Sequence, residues 1–233
     1  MTMPAEPDFD RVARIYRWAE YASLGPLLEL ARRHFLPALR ECRRTMTLGD
    51  GDGRFLARLM AQNPLMQAVA VDTSTAMLGL LRRNCVHEAE NAKERLTLVK
   101  ASALETMPAL ETDLIVSHFF LDCLTQVEVD ALTKSYAARL QPETLWLVSD
   151  FALPHAAWLR PLAALYIRAL YFAFRVLTGL RVTRLPEQQM SLENAGFARV
   201  ERKEFIGGLV YTELWRLGRA GLGKMEMVDA DER

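Results

Sequence analysis

The stretch Thr45-Met46-Thr47-Leu48-Gly49-Asp50-Gly51-Asp52-Gly53-Arg54-Phe55 decides the fold of this chain. An apolar-leaning run stops at glycines in alternating positions, and Arg54 to Met60 then follows a helical pattern, which gives strand, glycine-rich turn, helix. Ala68 to Val71 reads as a second buried strand ending at Asp72. Thr75 to Asn84 reads as a helix with Ser74 or Thr73 as its N-cap. Leu96 to Lys100, Leu114 to Ser117 and Leu145 to Ser149 read as further strands, with a helix over Gln126 to Leu140. Strands alternating with helices predict parallel βαβ units buried on both faces.

On either side of this core the pattern changes. Asp8 to Leu39 predicts one or two amphipathic helices with a break at Gly25-Pro26. Ala156 to Leu180 is a long, mostly apolar helical stretch, and Ser191 to Ala195 is a short helix stopped by Gly196. Phe197 to Phe205 and Leu209 to Leu217 suit a hairpin through Gly207-Gly208, and residues 218–233 form a loose tail. The expected organisation is therefore a helical extension over 1–44, one α/β domain over 45–217 with a helical insertion at about 156–180, and the tail. The expected fold is a Rossmann-like, seven-stranded, mostly parallel sheet with an antiparallel last strand and helices on both faces.

Composition narrows the function classes. A chain of 233 residues, half hydrophobic, suits one domain with a sizeable core. Twenty-nine basic residues balance twenty-nine acidic ones, so no global charge points to nucleic acid. Cys42, Cys85 and Cys123 lie far apart and form no CxxC pair, which points to a reducing cytoplasm and to no zinc site. The first residues contain no apolar h-region, so no signal peptide is expected.

The glycine turn and the acid after it carry the chemistry. Glycines 49, 51 and 53 permit a tight turn and close approach of a ligand beside a helix N-terminus, at the carboxyl edge of the sheet where ligands gather. Asp72 follows Gly53 by nineteen residues at a strand tip, where its carboxylate can take both hydroxyls of a ribose. A dinucleotide site favours G-x-G-x-x-G; this turn runs G-x-G-x-G, and Asp50 and Asp52 would repel a pyrophosphate while attracting a cationic methionine moiety.

The segments TLGDGDGRF, AVAVDTSTAML, DLIVSHFFLDCL, LVSDF and LENAGFARVE, spanning Thr45 to Leu217, resemble the successive motifs of class I, S-adenosylmethionine-dependent methyltransferases. FDRVARIY resembles the start of the ubiquinone/menaquinone-biosynthesis group within that family. The resemblance implies S-adenosylmethionine as cofactor, with Gly49, Gly51 and Gly53 as backbone cradle and Asp72, beside Thr73, on the ribose. It also implies Met77 as a wall of the adenine slot, Ser102-Ala103 beside adenine, and Ser117-His118 near the methionine part. One departure stands out: Thr47 occupies the place where the family has an acid, and Asp50 inside the turn is the candidate to replace that charge.

On the acceptor side, a base is needed only for a protonated nucleophile, and the candidates are Asp122 and His118. Asp122 has plainer readings as a helix cap or an arginine partner, and His118 as a satisfied buried histidine. Arg160, Arg168 and Arg175 fall within about 80° of one another on a helical wheel whose remainder is apolar. Such a helix serves as a lid over a hydrophobic acceptor, an interfacial membrane helix, a homodimer contact or a packed core helix. The expected activity is methyl transfer to a small, hydrophobic or aromatic acceptor. The alternatives are a non-catalytic cofactor-binding sensor or scaffold and a nucleotide-linked oxidoreductase.

Overall fold

The computed structural model describes residues 24–178, 182 and 185–219. FDRVARIY and the tail beyond residue 219 lie outside the described residues. Seven strands, β1 (Arg44–Leu48), β2 (Gln67–Asp72), β3 (Leu96–Lys100), β4 (Leu114–His118), β5 (Leu145–Phe151), β6 (Phe197–Phe205) and β7 (Val210–Leu217), form one sheet in the order β3-β2-β1-β4-β5-β7-β6. β1 pairs in parallel with β2 and β4, while β7 lies antiparallel between β5 and β6. The carboxyl ends of β1, β2, β4 and β5 therefore share one edge. The chain reverses direction beside β1, between β2 and β4, which is the switch point of an open α/β sheet.

The helices are α1 (Gly25–Arg33), α2 (Arg54–Gln62), α3 (Thr75–Glu88), α4 (Ala92–Arg95), α5 (Gln126–Ala137), α6 (Arg160–Thr178) and α7 (Gln188–Asn194). Gly25-Pro26 opens α1, where proline in the first turn sacrifices no helical hydrogen bond. Ser74 caps α3, its Oγ accepting from Met77 N–H at 3.1 Å. Thr125 and Glu128 close a capping box on α5, so Asp122 is not the cap of that helix. Gly207-Gly208 lies in a 3-10 turn, Ile206–Gly208, that joins the hairpin strands.

Strand alternation sends side chains into two cores. One face packs Phe55, Leu56, Leu59 and Met60 of α2 and Leu81 of α3 against Ala68, Ala70, Val116 and Leu147. The other gathers Leu132 and Tyr136 of α5 with Met46, Ile115, Trp146, Phe197 and Trp215. Trp146 and Trp215 are fully buried, and Trp146 stacks on Tyr136 at 5.6 Å and meets Phe197 edge-on at 5.4 Å. Such pairs add about 0.5–1.5 kcal/mol beyond burial itself. A third cluster, with Leu28 and Ala31 of α1, Ala163 and Ile167 of α6, Phe151 and Val210, caps the carboxyl end of β5. No described helix is long and apolar enough to cross a membrane.

Candidate cofactor and acceptor site

The turn after β1 is built on three left-handed glycines, with φ of 59° at Gly49, 62° at Gly51 and 74° at Gly53. An L side chain at any of them would cost about 1–2 kcal/mol in backbone strain. At two of them the space left by the missing Cβ is taken by the protein. A Cβ on Gly49 would lie 2.5 Å from Phe120 Cδ2, and one on Gly53 would lie 2.8 Å from Leu81 Cα. The turn is thus locked against α3 on one side and against the loop after β4 on the other.

The two aspartates of the turn diverge. Asp52 turns to Arg54, whose Nε donates to it at 2.9 Å, so its charge is already engaged. Asp50 points inward: its Oδ2 accepts from Leu56 N–H at 3.3 Å, while Oδ1 is buried with no hydrogen-bond partner. Burial pushes its pKa up to about 7, opposed by Arg32 and Arg54 and reinforced by Asp52. Arg32 of α1 is itself buried, lies over the Phe119 ring at 5.0 Å, and acts electrostatically on both Asp50 and His118.

His118 ends β4, its ring 4.5 Å from Phe55. Its Nδ1 lies 2.9 Å from Ser149 Oγ, Ser149 Oγ donates to Thr212 Oγ1 at 2.9 Å, and Thr212 Oγ1 donates to the Val148 carbonyl at 3.3 Å. With both hydroxyl protons so committed, Ser149 accepts, and His118 carries its proton on Nδ1. Nε2 is then a bare acceptor, buried and without a partner. Burial, with Arg32 adding to it, holds the ring's pKa well below its usual value, so the ring is neutral at pH 7. Thr47 Oγ1, also fully buried, has no partner either. β1 and β4 are neighbours with Thr47 in register with Val116, and Thr47 shares its sheet face with Val116 and His118.

Behind β5, on the opposite sheet face, lies a second polar group. Asp150 Oδ1 accepts from Phe151 N–H at 2.9 Å, and Oδ2 accepts from Gln188 Nε2 at 2.7 Å and from Asp122 N–H at 3.2 Å. Tyr211 OH donates to Gln188 Oε1 at 3.1 Å. Burial pushes Asp122 up to about 6 and Asp150 well above the usual carboxylate range, the Asp122 charge adding to the latter. A side-chain hydrogen bond with Asp150 draws Asp122 back down.

The other residues expected at the site lie along the same edge. Asp72 ends β2, its Oδ1 accepting from Ser74 N–H at 2.8 Å. Thr73 follows it, and Met77 is buried in the first turn of α3. Ser102-Ala103 follows β3, with the Ala103 carbonyl accepting from Tyr136 OH at 3.1 Å. Ser117 Oγ accepts from Trp146 Nε1 at 2.9 Å in the α5-side core, which leaves only its backbone to face a ligand. Asp150, Gln188, Arg32 and the Ser149–Thr212 pair escaped the sequence reading. Only Asp150, at the end of the LVSDF strand, carried a visible signal, a charge where a buried strand meets the ligand edge.

Residues 46–143, the strands and helices that hold the turn, Asp72, His118 and Asp122, match a family model described as a methyltransferase domain. The fold is that of class I methyltransferases. A structure of the S-adenosylmethionine-dependent methyltransferase SibL superposes with a TM-score of 0.65 at 17% identity, covering 94% of this chain and 64% of that one. A structure described as an O-methyltransferase of Nostoc punctiforme gives 0.69 at 17% identity over 93% and 64%. An O-methyltransferase family protein from Burkholderia thailandensis gives 0.68 at 13% identity over 93% and 65%. This chain spans less than two thirds of the length of those three structures. No curated protein matches it in sequence. The cofactor implied by a methyltransferase domain of this fold is S-adenosylmethionine, and the chemistry of the open acceptors beside the glycine turn, an acid at Asp50 among them, fits the ammonium of its amino-acid end.

Proposed function

We propose that this chain transfers the methyl group of S-adenosylmethionine to a small, hydrophobic or aromatic acceptor such as a phenol or quinol. The observation that carries the proposal is the set of buried, unpartnered acceptors, Asp50 Oδ1, Thr47 Oγ1 and His118 Nε2, beside the glycine turn. Buried polar groups are normally satisfied, and leaving one open costs about 1–3 kcal/mol, so three at a ligand edge mark where a bound molecule supplies the partners. When bound, the cofactor supplies an activated methyl group on a sulfonium.

The chain's own residues then have distinct tasks. Asp50 holds the ammonium and takes over the role of the family acid that Thr47 lacks. Asp72, with Thr73 beside it, holds the ribose at the tip of β2, Met77 and Ser102-Ala103 border the adenine, and Gly51 keeps the turn low. His118, fixed as the Nδ1–H tautomer, offers Nε2 to an acceptor hydroxyl and takes its proton as the new bond to the methyl carbon forms and the sulfonium–methyl bond breaks. Asp122, buried after β4 and raised to about 6, is the second candidate to receive that proton. The apolar cap of Phe151, Ala163, Ile167 and Val210, with Phe119 packed against it, favours an apolar acceptor. So does the resemblance of FDRVARIY to the quinone-biosynthesis group.

The test is calorimetry with S-adenosylhomocysteine followed by a methyl-transfer screen on phenols and quinols. Saturable binding with turnover is expected. No heat and no melting response would end the proposal. Binding without turnover would favour the sensor reading, which draws its support from the closed state of the Asp122–Asp150 pair.

A further inference from the structure

The charges of this balanced chain are unevenly placed. Between Asp150 and Glu187 lie five arginines, Arg160, Arg168, Arg175, Arg181 and Arg184, and not one acidic residue. This stretch contains α6, whose inner side chains Ala163 and Ile167 are buried against α1 and the ends of β5 and β7. Over its described side chains, up to residue 170, its outer side is not polar, as that of an ordinary surface helix would be. Trp158 is 78% exposed, Leu162 67% and Leu165 65%, and Leu153 upstream is 50% exposed. Leu162, Leu165 and Ala169 share one helical face, with exposed Arg168 at its margin. Arg160 is exposed at the helix start, its Nε tied to the Pro154 carbonyl at 3.0 Å.

We propose that this face docks on an anionic lipid surface, with Trp158, Leu162 and Leu165 entering the headgroup boundary and Arg160 and Arg168 meeting lipid phosphates. Three features support a bilayer over a protein partner. The stretch itself carries five arginines and no acidic residue, which matches a field of negative headgroups. Tryptophan beside leucine suits the amphipathic boundary layer, and long arginine stems let the charge stay in water while the stem lies on apolar surface. The helix does not meet the requirement for a span, so it lies on the membrane instead of crossing it. The inner side of α6 belongs to the same cluster as Phe119 and Phe151, beside His118, so docking would set the acceptor side of the edge toward the lipid. The proposal does not depend on methyl transfer.

The experiment is sedimentation of the full chain with vesicles of phosphatidylcholine alone or of an equimolar mixture with phosphatidylglycerol. Binding to the mixed vesicles, little binding to the neutral ones, and release on raising salt are expected. The Arg160→Gln, Arg168→Gln double variant should bind about 30-fold more weakly, from about fivefold per arginine. The Trp158→Ser, Leu162→Ser, Leu165→Ser variant, altered only at exposed positions, should lose binding while keeping the melting temperature. Wild-type chain left in the supernatant with mixed vesicles would overturn the proposal, as would binding that both variants retain. A dimer in solution that the serine variant splits, without vesicle binding, would assign the face to a second copy and overturn it equally.

Discussion

Two polar corners at the carboxyl edge of the sheet make opposite use of burial. On the α5 side, Asp150 takes donors from Phe151, Gln188 and Asp122, and Gln188 is held in turn by Tyr211. Every strong donor there has found an acceptor. On the α2 side, Asp50 Oδ1, His118 Nε2 and Thr47 Oγ1 are also buried and have no hydrogen-bond partner. A closed network returns its desolvation cost as rigidity; an open one returns it only when something binds. On the proposed function the second corner is the receptor and the first, apart from Asp122 as the second proton acceptor, is scaffold, and each assignment can be broken separately.

The largest effect is expected in the closed corner. Asp150→Ala leaves the Gln188 amide and two backbone N–H groups without acceptors in the core, and should cost about 3–5 kcal/mol in denaturant unfolding. Unchanged stability would show that the network is not structural. Next is the wall between turn and helix. Gly53→Ala combines a left-handed φ of 74° with a Cβ 2.8 Å from the Leu81 backbone, and about 3 kcal/mol of lost stability is expected in the same measurement.

In the open corner, effects should appear in binding while the fold is kept. Asp72→Ala removes a charge-assisted bond at the tip of β2 and should weaken S-adenosylhomocysteine by about 1–3 kcal/mol in calorimetry. The same affinity in the variant would remove Asp72 from the site. If stability dropped as much as for Asp150→Ala, the contrast between the corners would dissolve.

The contrast also explains what could be read in advance. Segments with strong period and punctuation came through with their boundaries: Leu96–Lys100 and Phe197–Phe205 match residue for residue, and Ser74 caps α3 as its position suggested. The turn glycines were legible because positive φ restricts residue choice locally. Partnership is different, since it joins residues far apart in the chain. Asp150 meets Gln188 across 38 residues and Ser149 meets Thr212 across 63, and strand alternation fixes a face without naming what lies opposite. Glu213 shows the limit: nothing in the sequence names its partners, yet it is buried, accepting from Arg199, Arg202 and Trp215 at 3.0, 2.7 and 3.0 Å. At Gly49 and Gly53 the space a Cβ would take is filled by Phe120 and Leu81, packing that joins distant segments and has no signal in the sequence.

The smallest expected effect is also the most specific to the receptor assignment. Asp50 is held by burial at a pKa of about 7, against an ordinary value of 3.8, with Arg32, Arg54 and Asp52 as the charges around it. A raised carboxyl pKa means that the ligand-free folded state binds the proton more tightly than the unfolded chain. Its contribution to stability is therefore present below about pH 4 and is lost as pH rises through about 7. A ligand ammonium at Oδ1 reverses that preference, because it pairs with the ionised form, so binding must expel the proton below pH 7 and need not above it. Affinity for S-adenosylhomocysteine should then rise about tenfold between about pH 6 and pH 8, with proton release visible as a buffer-dependent heat at the lower pH. Asp50→Asn, which keeps the shape and removes the titration, should flatten that slope. A slope that persists in the asparagine variant would move the ammonium, and with it the receptor role, away from Asp50.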